Sequence, residues 1–345
     1  MLPDNIKFST DPTKELAGFI QTRKYSSLTV LTDNNTHIHC YPLIASALPP
    51  HSIINIKSGE EEKNLDTCAL IWKEMTNQLL DRHACILILG GGVLGDMGGF
   101  CAATYKRGID FILIPTTLLA QTDASIGGKL GIDFNNLKNH IGIFQQPALT
   151  LIHTGFISTL PAAELRSGFA EVIKHTLISD RNMWQQISAL PLEKQSWELL
   201  TRHSVEFKAG VTLQDPTEQG LRKILNAGHT IGHALESYLL NSGRRVLHGE
   251  AIAVGLITEA FVANGRGLIS SEDLAAITTF IVSIFGKIDL DAGVRNAVNE
   301  LIMQDKKNKA GKILCVLLNG IGQARWDYEI SLAEVDEALA YYTRC

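Results

Sequence analysis

The sequence lacks a charge excess of the kind that drives electrostatic capture. Its 345 residues hold 31 Lys and Arg against 36 Asp and Glu, a formal charge of -5. That excludes broad binding to nucleic acid or to an anionic membrane surface, and leaves room only for a local basic pocket. Long apolar runs are missing too. The most apolar window, Ala84 to Ala103, is broken by Asp96 and six glycines. It reads as a buried strand turning into a helix, not as a membrane span. Six cysteines (Cys40, Cys68, Cys85, Cys101, Cys315 and Cys345) are scattered without a Cys-x-x-Cys pair, the pattern of reduced core thiols. No basic flank followed by an apolar stretch opens the chain, so a cytoplasmic address is expected. Internal repeats and low-complexity linkers are also missing.

What is present is globular. The chain is 45% hydrophobic and 19% charged, with a mean hydropathy of +0.08, which excludes disorder. Its length suits two domains. The first ~155 residues alternate short apolar runs with amphipathic stretches, the pattern of βαβ units and a parallel sheet. Strands are expected at Ser27–Thr32, Ile53–Lys57, Ala84–Leu89, Phe111–Pro115 and Thr150–His153, with helices at Asn64–Asp81 and Asp96–Lys106. Beyond Pro161 the texture becomes helical, over 161–179, 196–213, 218–240, 249–266, 271–285 and 291–304. Lys312–Leu318 alone reads as a returning strand. The expectation is an α/β Rossmann-like domain over 1–157 followed by a mainly α-helical domain over 158–345, with a ligand site in the cleft between them.

Glycine is abundant, at 29 residues, and clusters. Gly90, Gly92 and Gly95 form a G-x-G-x-x-G between a strand and a helix, where backbone N–H groups can meet a pyrophosphate. The acidic residue expected at the end of the next strand is missing, since Asp110 starts that strand; Asp33, just after Thr32, is the substitute for reaching a ribose hydroxyl. A second constellation is metallic in type. His229 and His233 stand four apart on one helical face, and His248 opens a later helix. Glu171 and Lys174 are one turn apart upstream. One Glu and two His with an open position suit a catalytic Zn²⁺, but spacing alone does not choose among His229, His233 and His248. Lys208, Arg222 and the run from Asp305 to Lys312 are the local cations available to an anionic substrate, with Lys306 and Lys307 expected in a turn before the last strand.

Read in order, these pieces resemble the 3-dehydroquinate synthase family over nearly the whole chain. The blocks are Gly90–Asp96, Ala103–Gly108, Pro115–Leu119, Asp123–Lys129, Glu171–Lys174, Leu225–His233, His248–Glu250 and Asp305–Lys307. The resemblance implies Zn²⁺ or Co²⁺ held by Glu171, His229 and His248, with His233 as a nearby substrate or proton-relay residue. It implies NAD contacts at Asp33, Glu60, Lys63, Gly91, Gly92, Val93, Asp96, Thr116, Thr117, Lys138, Asn139 and Thr159. Asp123, Lys129, Lys174, Lys208, Arg222, Asn226 and one or both of Lys306 and Lys307 would bind the phosphate and carboxylate of a sugar-acid phosphate. A homodimer is implied as well. Three features depart from the family pattern: Leu130 after Gly-Gly-Lys where Thr is frequent, Asp133-Phe134 where Asn-His is frequent, and Pro216 after Asp215. Rival readings are a related sugar phosphate cyclase, a metal-dependent polyol dehydrogenase, and an inactive NAD-binding scaffold.

Overall fold

The computed structural model describes residues 2–135, 137–307 and 312–345, with 304–307 as backbone only. Two units emerge, Met1–Pro161 and Ala162–Cys345. The first runs β1 (Ile6–Phe8), α1 (Pro12–Arg23), β2 (Leu28–Asp33), α2 (Asn34–His39), β3 (Ser52–Ile56), α3 (Leu65–Asn77), β4 (Cys85–Gly90), α4 (Gly92–Thr104), β5 (Asp110–Pro115), β6 (Lys129–Phe134), β7 (Leu137–Phe144) and β8 (Leu149–Ile152). Among the described residues it holds a six-stranded parallel sheet in the order β1-β8-β5-β4-β2-β3.

Alternation explains the layers. On β4, Ile86 and Ile88 pack with Cys68, Ile71 and Met75 of α3 and Met97 of α4. Cys85, Leu87 and Leu89 face the other way, onto Leu16 and Ile20 of α1 and onto Phe156. A parallel strand buried on both faces reads as a continuous apolar run, which is what Cys85–Leu89 shows. All five strands expected from sequence lie within one residue of β2, β3, β4, β5 and β8. Three-residue β1 and the mostly exposed β7 carry too little apolar pattern to be read, and β6, although Leu130 and Ile132 are buried, is short and interrupted by Gly131. From β2 the chain moves outward to β3, and from β4 it moves the opposite way to β5. The carboxyl ends of β2 and β4 therefore form a switch point, where ligands of open α/β sheets bind.

The second unit runs α5 (Ala162–Ser179), α6 (Arg181–Ser188), α7 (Trp197–Gln214), α8 (His229–Asn241), α9 (His248–Gly265), α10 (Ser271–Phe285), α11 (Ala292–Lys307), β9 (Ile313–Leu318), β10 (Ala324–Ile330) and α12 (Leu332–Arg344). The strands β9 and β10 pair antiparallel. Two expectations are corrected. The single helix over 218–240 is broken: Leu221–Asn226 is a 3-10 segment and α8 starts only at His229. The Asp215 carboxylate causes the break, accepting from the N–H groups of Gln219 (3.0 Å), Gly220 (2.7 Å) and Arg222 (3.0 Å). Lys306 and Lys307 end helix α11 instead of lying in a turn, and their side chains fall outside the described residues.

Helix α9 is buried on nearly every side, as an all-round apolar helix must be. Its neighbours approach at glycines. A Cβ on Gly249 would lie 2.0 Å from the Ser167 carbonyl oxygen of α5, and one on Gly255 would lie 1.8 Å from the Gly228 carbonyl oxygen. Neither obstacle is a flexible side chain, so these backbones must move apart to admit a methyl group. Gly265, at the end of the same helix, has nothing within 4 Å of its added Cβ. Gly255→Ala is therefore expected to destabilise the protein by roughly 3 kcal/mol or more. Gly265→Ala should be neutral or stabilising by up to ~1 kcal/mol. Denaturant unfolding of the two variants compares them directly, and equal stabilities would contradict the packing described.

Candidate functional site

In the first unit the resemblance-derived residues fall into three neighbouring groups. Gly91 is the N-cap of α4, and no side chain caps that helix, so its first N–H groups are open to an anionic ligand. A pocket there is lined by Gly91, Gly92, Asp96, Pro115, Ala124 and Ser125. Thr117 packs beside Gly91 and its hydroxyl accepts from Ala120 N at 3.1 Å. Asp123 lies in a π-helical turn over Ala120–Ala124, and exposed Lys129 opens β6.

A second group surrounds the Cys40 thiol. Burial first and the Asp33 charge next push that thiol up to about 11, while hydrogen bonds from Thr159 and Thr116 work against them. Asp33, Thr116 and Thr159 thus stand together at the carboxyl edge of the sheet. Asp33 Oδ1 also caps α2, accepting from Asn35 N (2.9 Å) and Thr36 N (2.8 Å).

The third group is a polar network. Buried Lys63 donates to Asp96 Oδ2 at 2.7 Å and to Asn139 Oδ1 at 2.6 Å. Lys138 pairs with Glu60 at 3.4 Å. Burial opposes charge on Lys63, but Asp96 and Glu60 outweigh it and raise its pKa. Asp133 completes the network, accepting from Asn139 N at 2.7 Å.

The second unit gathers the metal-type residues. Glu171 on α5 is fully buried, and His229 and His248 stand at the first positions of α8 and α9. Glu171 Oε1 faces His248 Nε2 at 3.3 Å and His229 Nε2 at 3.6 Å. Ligands held ~2.1 Å from a tetrahedral zinc stand about 3.3–3.5 Å apart, so these donor spacings fit such an ion. The other ring nitrogens are oriented as metal-binding histidines require: His229 Nδ1 lies 3.0 Å from the Ala227 carbonyl, and His248 Nδ1 lies 3.3 Å from Glu236 Oε2. His233 also brings a ring nitrogen within 4.8 Å of the other two histidines, but it is exposed.

Electrostatics separate the two facing histidines. Burial and the nearby Lys174 charge push His229 well below its ordinary range, so it is neutral and ready to ligate. Burial also opposes charge on His248, but hydrogen bonds to Glu171 and Glu236 outweigh it and push its pKa up to about 9. Lys174, itself buried, pairs with Glu171 Oε2.

The glycine contacts explain why these groups converge. Gly249 N donates to Ser167 Oγ at 3.0 Å, and Ser167 is one turn before Glu171 while Gly249 adjoins His248. Lys208 on α7 is 7% exposed and Arg222 1%. The Asp215-nucleated turn sets both Arg222, which donates to the Pro216 carbonyl at 2.7 Å, and Asn226, which donates to Glu218 Oε1 at 2.6 Å.

Sequence reasoning missed Glu236, Ser167 and Asp133. Glu236 had a signal: with His229 and His233 it follows i, i+4, i+7 spacing along one helix face. Ser167 acts through a contact 82 residues away at Gly249, and Asp133 through the turn of the β6–β7 hairpin, where it accepts from Asn139 N.

The 3-dehydroquinate synthase N-terminal family model matches residues 53–167, and the C-terminal model of the same enzyme matches 168–308. A "3-dehydroquinate synthase" of Parabacteroides distasonis is 36% identical, over 99% of this chain and 98% of its own length. A second, of Acetivibrio thermocellus, is 38% identical over 90% of this chain and 88% of its own. Among solved structures, ValA (2-epi-5-epi-valiolone synthase) from Streptomyces hygroscopicus, with NAD⁺ and Zn²⁺ bound, is 25% identical with a TM-score of 0.88, covering 100% of this chain and 98% of that one. With both family models matched and full-length relatives above 30% identity, this chain belongs to the 3-dehydroquinate synthase family.

Proposed function

We propose that the chain converts 3-deoxy-D-arabino-heptulosonate 7-phosphate (DAHP) to 3-dehydroquinate and inorganic phosphate, using NAD and one Zn²⁺ or Co²⁺. The observation that carries this reading is the approach of His229 and His248 to Glu171 Oε1 at close to tetrahedral spacing, within a chain matched continuously from residue 53 to 308 by the family's models. ValA, similar over the whole chain, holds NAD⁺ and Zn²⁺, which supports both cofactors here. Bound, the metal polarises a substrate hydroxyl while NAD⁺ accepts a hydride that is returned within the same turnover.

The chain's own residues divide the remaining work. Glu171, His229 and His248 would hold the metal, and Lys174 pairs with the buried Glu171 carboxylate, so neither charge is buried alone. Gly91, Gly92 and Val93 would present backbone to the pyrophosphate, with Asp33, Thr116, Thr117 and Thr159 around it. The Glu60, Lys63, Asp96, Lys138 and Asn139 network would frame the same cofactor.

Lys208 and Arg222 keep cationic heads in buried surroundings, an arrangement suited to carboxylate and phosphate groups. Asp123, Lys129, Lys174 and Asn226 complete the substrate set, together with one or both of Lys306 and Lys307. His233, whose exposed ring stands near His229 and His248, would serve as the substrate or proton-relay residue. The chemistry is positioning and charge stabilisation around a phosphate that leaves. Family likeness supports a cytoplasmic homodimer with no nucleic-acid or membrane partner.

A phosphate-release assay on DAHP with metal and NAD⁺ tests the reading. Phosphate should appear without lasting NADH. Steady NADH accumulation would instead identify a polyol dehydrogenase, and no turnover of DAHP would return the reading to a different cyclase or a scaffold.

His248→Ala and Glu171→Ala should lose the metal and with it activity by at least ~10³-fold. Metal analysis of the purified variants decides this, since full zinc stoichiometry in either would overturn its ligand role. The raised pKa of His248 adds a pH signature. Without metal its ring holds a proton below about 9, and a metal ion must displace it. Apparent zinc affinity should therefore climb by roughly tenfold per pH unit between 7 and 9. Chelator competition across that range is the measurement, and a flat profile would refute the sign.

A further inference from the structure

We propose that Glu259 is a positioning residue of the metal centre: from α9 it ties down the turn that aims His229, and so sets how tightly the centre holds its ion. The proposal rests on the metal reading above and adds to it a residue that lies outside the ligand set.

The geometry begins with one stripe along α9. His248, Gly255 and Glu259 stand at i, i+7 and i+11, close to two and three full turns, so all three face the same way. The partner of that stripe is the turn entering α8. Gly228 sits in the left-handed region at φ +78°, and its N–H donates to Glu259 Oε2 at 2.6 Å. Its carbonyl oxygen lies against Gly255, closely enough to exclude a methyl group. The N–H of Gly228 is therefore fixed by α9, and its carbonyl, which accepts from Gly232 N of α8 at 3.1 Å, is confined by α9 at Gly255.

The backbone N–H groups of Thr230 and Ile231, next along the same turn, add a favourable field that works against burial in setting the Glu259 pKa. The first donors of a helix need such an acceptor, and Gly228, at the N-cap of α8, has no side chain to supply it. Glu259 supplies it from another helix. His229 is held between these anchored peptides, with its Nδ1 already committed to the Ala227 carbonyl. The direction of its Nε2 toward Glu171 thus follows from the seat of this one turn.

A carboxyl group that is 3% exposed is costly to bury, so its retention calls for a task. Burial pushes its pKa up to about 8. Near pH 7 the group is then largely uncharged, and glutamine is its close mimic in shape and charge.

The test uses full-length protein stripped of metal and titrated with Zn²⁺ against a chromogenic chelator. Glu259→Ala should weaken zinc binding by about 10- to 100-fold, the range seen when a group supporting a ligand is removed. Glu259→Gln, whose side-chain oxygen accepts from the same N–H groups, should stay within about 3-fold of wild type. A purely structural cap would lower the melting temperature but leave the zinc constant of the folded protein unchanged, and that result overturns the proposal. If the alanine variant does not fold, Glu259→Asp replaces it. Asp keeps a carboxylate one methylene short of Gly228 and should lose affinity where Gln does not; equal zinc constants for Asp and Gln would also overturn the proposal. A wild-type chain that takes up no zinc would sink the metal reading itself, whereas uptake that Glu259→Ala leaves untouched would sink only the role of Glu259.

Discussion

Helix-to-helix contact at glycine is the constraint on which the second unit depends. Backbone atoms of α5 and of the Gly228 turn come within the space a single methyl group would need on α9. At ordinary interaxial distances of 8–10 Å, side chains fill the gap between helices. Here the gap is closed instead, and short side chains from three helices reach one another. Glu171 has only two methylenes and the histidines only one. Moving either neighbour outward to accommodate larger residues would widen the 3.3 and 3.6 Å donor spacings, which now lie close to those of a tetrahedral ion's ligands.

This closeness brings an electrostatic problem with it. Glu171 has no solvent exposure and Lys174 almost none. Removing one partner of such a pair leaves an uncompensated buried charge, typically a loss of 3–5 kcal/mol. Around the pair stand two histidines with opposite tendencies: His229 is held neutral by burial and Lys174, while His248 is held protonated by Glu171 and Glu236. The proton on His248 balances the carboxylates when no cation is bound. A divalent ion held by Glu171 and the two rings would take over that role, and its binding would require loss of the proton. Positive charge would then be present in either state, which fits the presence of two carboxylates, Glu171 and Glu236, within a buried helical cluster.

How much of this could be read in the sequence follows from the range of each interaction. Strands β2, β3, β4, β5 and β8 were legible because two-sided burial writes itself as short apolar runs, and the glycine-rich turn because its strand-to-helix context is local. The pair His229 and His233 declares a helix face by spacing, but the choice of Glu171, His229 and His248 as the ligand set came from family resemblance and not from spacing. The helix expected over 218–240 failed for a definite reason. Leu221, Ile224 and Leu225 are spaced as a helix would space them, but the Asp215 carboxylate captures three N–H groups and Gly228 turns left-handed before α8 begins. Ser167 and Glu259 were out of reach because each acts across distance in the chain, 82 residues to Gly249 and 31 to Gly228.

The departure from family pattern at Asp133 shows how such a difference is judged once contacts are known. What the position supplies is an oxygen acceptor for the N–H of Asn139, whose backbone is left-handed at φ +51°. An asparagine carbonyl oxygen accepts the same bond, so Asn and Asp are interchangeable in that respect. They differ in charge. Burial raises the Asp133 carboxyl above its usual range, Glu60 adds to that, and Lys63 and Lys138 pull against it. Two lysines and the shared acceptor geometry make the acidic form affordable beside Asp96. The network that fixes Lys63 therefore keeps its hydrogen bonds with Asp at this position, and one of the three departures seen in the sequence is the residue that seats Asn139.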